Sequence, residues 1–273
     1  MTTEGRMRRA VFFGMNERLD RSLDKGERIT MDDSTGNSAV LGAFAEETVR
    51  VQTGRPKEGS QYSVGEEVAN AITHGLGAAL SIAALAILAT LAGKRGDAWH
   101  VVSLCIYGAT MVFLYSASSL YHGVPVPRAK KIFRVLDHSA IFLLIAGTYT
   151  PVTLVLMRGP WGWTLFSAIW AMAVCGIVVK AILWNKSKMF GYLGVSLYIA
   201  MGWLVIVAVK PMLEMLPLGM IAWLLAGGLF YTLGVPFYMW KRLPFHHAVW
   251  HLFVLGGSAC HFLAILWYVL PKQ

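Results

Sequence analysis

His247 and His251 stand four residues apart. On a helix, that spacing puts both imidazoles on one face, one turn apart, as two ligands of one metal ion must be. His122, in a different apolar stretch, could supply a third ring nitrogen. Three histidines around zinc leave the fourth tetrahedral position open, which is the arrangement of catalytic zinc. A water held there would have its pKa lowered to about 7 and could act as a nucleophile. Asp137 could accept a hydrogen bond from that water or from a ligand imidazole. Ser118 precedes His122 by one turn on the same face, so it could contact the water or a substrate carbonyl. The competing reading is that histidines at a membrane interface rest their polar tips in water and bind nothing.

Glu67, Asn70 and His74 share a helical face at i, i+3 and i+7, with Glu66 and Thr73 beside them. Two readings stand. The carboxylates could cap a helix N-terminus, favoured by its dipole, or the group could support the metal ligands from behind. His261 follows His251 by ten residues, ~15 Å along a helix, so it cannot join the same ion and is expected to be a hydrogen-bonded interior histidine. His138 and His246 adjoin candidate positions but point elsewhere on their helices, and His100 is expected at the opposite interface.

The elements that must position these groups follow from composition. The chain has 273 residues, of which 56% are hydrophobic and 14% charged, and its mean hydropathy is +0.55. A soluble domain carries about 25% charge. Between residues 68 and 271 the charges leave seven uncharged stretches: 68–93, 98–127, 138–157, 159–179, 189–209, 215–240 and 243–271. Each is long enough to cross a ~30 Å hydrocarbon core as a helix. The fold class is therefore an all-α integral membrane protein with seven transmembrane helices. Pro125 and Pro127 are expected beyond the end of the second.

The formal net charge of +9 does not point to nucleic acid. Residues 1–60 hold ten basic and ten acidic residues, so the excess lies in the loops of 61–273. One set of connections, with the C-terminal tail, carries Lys94, Arg95, Arg158, Lys210 and Lys272. The other carries Arg128, Lys130, Lys131, Arg134, Lys180, Lys186, Lys188, Lys241 and Arg242. Basic connections stay inside. The N-terminus is accordingly predicted to be cytoplasmic and the C-terminus external, in a multi-pass protein of the inner (plasma) membrane. In that orientation His74, His122, Asp137, His247 and His251 all belong at the cytoplasmic side. Residues 1–60 read as a flexible polar segment without a cleavable signal, since Ala10–Met15 is too short for a signal core. Residues 61–273 form the membrane domain.

Cys105, Cys175 and Cys260 lie in separate spans and are expected to be small packing residues, without a disulfide or a thiolate site. Trp99, Trp161, Trp163, Trp184, Trp240 and Trp267 fall near span ends, as interfacial tryptophans do. Gly75, Gly77, Gly227, Gly228, Gly256 and Gly257 permit close helix packing, and Pro151 and Pro236 mark bends or ends.

Four segments in order, Ser118-Ser-Leu-Tyr-His122, Leu136-Asp137-His-Ser-Ala-Ile141, Gly147-Thr-Tyr-Thr-Pro151 and His247-Ala-Val-Trp-His251, resemble the haemolysin III proteins. These are bacterial members of the progestin and adipoQ receptor family, which includes the adiponectin receptors. Glu67-x-x-Asn70-x-x-Thr73-His74 is similar to that family's first motif, and the likeness covers roughly residues 62–270. It implies seven helices with a cytoplasmic N-terminus, and zinc held by His122, His247 and His251. It also implies that Asp137 contacts the zinc-bound water and that Ser118 lies beside the site. At Asp137-His138-Ser139-Ala140 the chain departs from the receptor branch, which carries tyrosine after the aspartate, and sides with the bacterial branch. The function expected is a zinc-dependent lipid amide hydrolase similar to ceramidases, with membrane lipids as substrate or ligand. The alternatives are a non-enzymatic membrane-homeostasis protein with structural zinc and, further off, a cytolysin. The last span lacks the lysine that a retinal pump needs.

Overall fold

The computed structural model describes residues 62–183 and 188–271, with side chains outside 183–192. The predicted polar segment 1–60, Trp184, Lys186 and Lys272 lie outside the described residues. Among the described residues all regular structure is helical: α1 (Val64–Arg95), α2 (Ala98–Gly123), α3 (Pro127–Pro151), α4 (Pro160–Leu183), α5 (Lys188–Gly202), α6 (Val209–Met215), α7 (Leu218–Met239) and α8 (His246–Tyr268). Seven segments are long and apolar enough to cross a membrane, the fifth being α5 and α6 together. The seven spans expected from the sequence are present.

Their ends differ from the charge-free stretches. Ser63 caps α1 through a capping box with Glu66, so the helix starts before its first charges, and its 32 residues run about 48 Å. α3 begins at Pro127, so Arg128, Lys130, Lys131 and Arg134 ride on its first turns instead of in a loop. Lys180 sits in the last turn of α4 and Lys210 inside α6. Asp137 and His74 therefore lie ten residues inside their helices, not at the openings the sequence implied. The physical reason is that charge-free length measures hydrocarbon thickness, whereas helices extend past it and their long cationic side chains reach the headgroups.

Neighbours in sequence are neighbours in space, and α1 also packs against α8. The main core joins α1, α2, α3 and α8 through Leu88, Tyr107, Met111, Tyr115, Leu144 and Ile265. A smaller one, around Phe142, Ile169 and Met201, holds α4 and α5 to α3. In lipid, such packing depends on close approach. A Cβ on Gly77 would fall within 3 Å of Tyr115 and Leu255. Cys260 is buried, but Cys175 is exposed on α4, which corrects the core-packing role expected for it; all three cysteines are free. Trp99, Trp161, Trp163, Trp240 and Trp267 are exposed at helix ends.

Two spans depart from regular α-helix, the third in its last turn and the fifth in its middle. α3 passes through Pro151 into a single π turn, Val152–Leu156. The fifth span unwinds at Trp203 into a 3-10 turn, Leu204–Ala208. The Tyr149 hydroxyl fills that break, donating to the Met201 and Gly202 carbonyls at 3.1 and 3.0 Å and accepting from the Val205 amide at 3.0 Å. Backbone groups freed inside a membrane need such partners.

Candidate metal centre

α2 ends one residue after His122, and α8 starts one residue before His247. Both helix ends thus deliver their histidines to one level, and α1 packs against both α2 and α8. One ring nitrogen from each of His122, His247 and His251 lies within 4.8 Å of the others, and all three residues are buried.

The orientation of two rings is fixed by their other nitrogens. His122 Nδ1 lies 2.7 Å from Glu67 Oε2, so it donates to the carboxylate. Its Nε2 is then a bare lone pair, buried and without a protein partner. Thr73 donates its hydroxyl to the Ala69 carbonyl at 2.8 Å and so accepts from His251 Nδ1 at 3.1 Å. His251 Nε2 is left as that ring's free lone pair. His247 Nδ1 is buried and unpartnered. Metal-bound histidines donate their second N–H to a carboxylate or another oxygen in this way. Unpaired buried nitrogens are costly unless something completes them, so the donor set fits zinc, whose ligands are drawn from imidazole, thiolate and carboxylate.

Of the supporting residues expected on α1, Glu67 bonds His122, and Asn70 lies against the same ring at 3.4 Å. His74 hydrogen-bonds none of the three histidines. It stacks on His251 with ring centroids 3.4 Å apart and meets Tyr115 edge-on. The capping role falls to Glu66 instead, whose second oxygen accepts from the Phe245 amide at 3.0 Å. Asp137 is buried beside Ser118, within electrostatic reach of His122, Arg134 and Lys180. His138 donates to the Arg134 carbonyl and His246 to that of Phe237. His246 points away from the cluster as expected, whereas His138 shares a cavity wall with Asp137. His261 donates to the Leu224 carbonyl at 3.1 Å, the interior role expected of it. His100 pairs with Asp97 at the N-terminus of α2.

Two contributors, Lys130 and Tyr62, went unread in the sequence, and a third, Thr73, was read without a partner. Lys130 bridges Glu67 Oε1 at 2.9 Å and donates to the Tyr121 carbonyl at 2.9 Å, locking the carboxylate to the last turn of α2. Thr73 was visible only as part of a polar cluster. Tyr62 stacks on His247 at 5.0 Å and covers His122 edge-on, closing the cluster on the N-terminal side of α1. Burial there pushes its phenol pKa well up, so it stays neutral. Nearby, burial pulls the Lys241 ammonium down. On its other side the cluster faces a cavity of about 150 Å³, whose wall includes His247, His251 and Asp137 and is otherwise largely apolar.

Fold and site together define a seven-span helical membrane protein with a buried three-histidine centre at one end of the bundle. The sequence matches the family described as Haemolysin-III related over residues 62–262, and the chain belongs to that family. It is 52% identical over 208 residues to Hemolysin-3 of Bacillus cereus, covering 76% of this chain and 94% of that one. To the Hemolysin-3 homolog of Bacillus subtilis it is 46% identical over 207 residues, covering 76% and 96%. A more distant likeness, 30% identity over 210 residues, links it to the human monocyte to macrophage differentiation factor, covering 75% of this chain and 84% of that one.

Proposed function

We propose that the protein is a zinc-dependent hydrolase that cleaves a lipid amide inside the membrane, as ceramidases do. One observation carries this reading: the three-histidine cluster opens onto a mostly apolar cavity that also holds a buried carboxylate, Asp137. Structural zinc is closed by four protein ligands, whereas catalytic zinc keeps one position for water or substrate. Zinc, when bound, supplies a Lewis acid for a carbonyl oxygen and makes water a nucleophile near neutral pH. His122, His247 and His251 would hold it, with Glu67 and Thr73 fixing two of the rings. The Asp137 carboxylate takes a proton from the attacking water and returns it to the departing amine, so amide and water become acid and amine. Ser118 orients that carboxylate. The apolar wall seats the acyl chain and keeps other water out. The orientation that goes with this reading has the cluster on the cytoplasmic side, from the charge count, with 61–273 as the membrane domain.

A second reading has its own support. α2 and α8 make at most marginal backbone contact, so a metal shared between them could serve as a structural tie in a non-enzymatic membrane-homeostasis protein. The relatives' names speak of haemolysis, but a chain with seven apolar spans lacks the soluble state that a secreted pore-former needs. Asp137→Asn separates the first two. The hydrolase reading expects this variant to keep most of its zinc and lose most release of fatty acid from a ceramide-like lipid, measured by mass spectrometry. Absence of zinc-dependent product in wild type, with thermal stability following zinc content in every variant, would favour the tie.

A further inference from the structure

Three walls of the cavity end in a cation on the side of the histidine cluster. On α3, His138, Ile141 and Ile145 line the cavity at helical spacing, and Arg134 continues that face one turn outward. On α7, Val235 and Tyr238 line it, and Lys241 follows just past the helix end with its ammonium 4.7 Å from the Tyr238 ring. On the α5 side the wall reaches out to Val195. There the cation comes from α4. Lys180, in its last turn, reaches across to Gly194, where a Cβ would lie 3.9 Å from Nζ.

These cations converge. Arg134 is within electrostatic reach of Lys180 and Lys241, and also of Asp137, His138 and Tyr238 on the wall. Arg134 and Lys180 are half-buried, and Lys241 is exposed at the rim. Like charges gathered in a partly desolvated place repel one another, and an anion among them is favoured. Asp137 supplies one negative charge. Glu66 is engaged by Ser63 and Phe245, and Glu67 by His122 and Lys130. Topology alone does not ask for this arrangement. Basic residues that keep a connection in the cytoplasm need only be on that side, as the exposed Arg128 is.

We propose that Arg134, Lys180 and Lys241 form an anion subsite that holds the phosphate of a lipid whose chain lies in the cavity. This rests on the reading above, that an amide lipid occupies the cavity with its carbonyl at the histidine cluster, and it narrows the substrate class to phosphorylated amide lipids. The spacing on α3 sets the match. Arg134 precedes Asp137 by three residues, ~4.5 Å along the helix, so the phosphate belongs a few bonds from the amide. The guanidinium fork suits two phosphate oxygens, and the two ammonium groups act as point charges beside it. Phosphate outside and chain inside fix which part of the lipid meets the metal.

The test uses zinc-loaded full-length protein in a neutral detergent and titration calorimetry with dodecyl phosphate and dodecanol, neither of which has an amide to cleave. Wild type should bind dodecyl phosphate about tenfold more tightly than dodecanol. Inorganic phosphate should bind more weakly than dodecyl phosphate; equal affinity would make the site one for free phosphate and overturn the lipid assignment. Arg134→Gln should lose most of the preference, whereas Arg128→Gln, which removes the same charge at an exposed position, should keep it. Equal losses in the two would reduce the effect to a diffuse field and overturn the subsite. A preference that survives in a folded Lys180→Gln/Lys241→Gln or Arg134→Gln protein would put the phosphate on the zinc and overturn it as well. Equal binding of dodecyl phosphate and dodecanol to wild type overturns the subsite while leaving the lipid reading intact, and needs no variant to fold. If neither binds wild type, the lipid reading fails and the subsite fails with it.

Discussion

α2 carries a histidine–carboxylate pair at each end, and the two have the same separation. At its start His100 Nδ1 meets Asp97 at 2.7 Å, and at its finish His122 Nδ1 meets Glu67, also at 2.7 Å. The first partners are three residues apart, and the Asp97 side chain is 58% exposed. Asp97 also accepts from the amides of Trp99 and His100, so the pair is part of a helix cap. The second partners are 55 residues apart on different helices, and the His122 side chain is fully buried. What separates a cap from a metal-ligand support is the far nitrogen of the ring. That of His122 points at two other imidazoles, whereas His100 belongs to no such cluster among the described residues.

The sharpest way to break this comparison is to remove one ring at each site. His251→Ala should abolish stoichiometric zinc, because two protein ligands do not hold a tetrahedral ion; His100→Ala should leave zinc content at wild-type level. Elemental analysis of both purified variants decides it, and equal zinc in the two would erase the distinction.

Exchanging the carboxylates should give a smaller effect. Glu67→Gln keeps the shape but loses the charge that steadies His122, and support residues of this kind are worth about 10–100-fold in metal affinity. Competition with a chromophoric chelator would measure it. Asp97→Asn should not move zinc affinity at all. Its effect is on stability, and pH gives the sign. Hydrogen bonds, led by that from His100, hold the Asp97 pKa below its ordinary value. Its contribution is therefore fully present above the unfolded pKa of about 4 and lost as pH falls through the lower folded value. Thermal melts of wild type and Asp97→Asn should differ slightly at neutral pH and converge in acid.

The least effect is expected from Lys130→Met. It frees Glu67 Oε1 but leaves Oε2 on His122, so zinc affinity should fall by less than in Glu67→Gln. A loss equal to or greater than that of Glu67→Gln would mean that Lys130, rather than the carboxylate, organises the ring.

The sequence revealed the parts of the site that are local. His247 and His251 share a helical turn, and charge-free stretches reveal spans because a membrane excludes charge over a fixed thickness. The long-range parts were not legible. Lys130 was one of nine residues in a topology count, and only the fold brings it to Glu67. Tyr62 precedes the first span, and nothing in its neighbours marks it, yet it covers the cluster. The depth of Asp137 was misjudged because α3 starts ten residues earlier, under side chains long enough to carry their charges out of the membrane. The break at Trp203 has no proline or glycine pair to announce a kink; its partner is Tyr149, 54 residues earlier in the chain.

The central claim is that zinc sits at an open three-histidine site. The most direct test is X-ray absorption spectroscopy at the zinc edge of the purified protein. The account predicts one zinc per chain with three imidazole nitrogens at ~2.0–2.1 Å, one further oxygen and no sulfur. A shell of four imidazoles, with His74 turned inward to close the site, or a wild-type protein that holds no zinc, would contradict it.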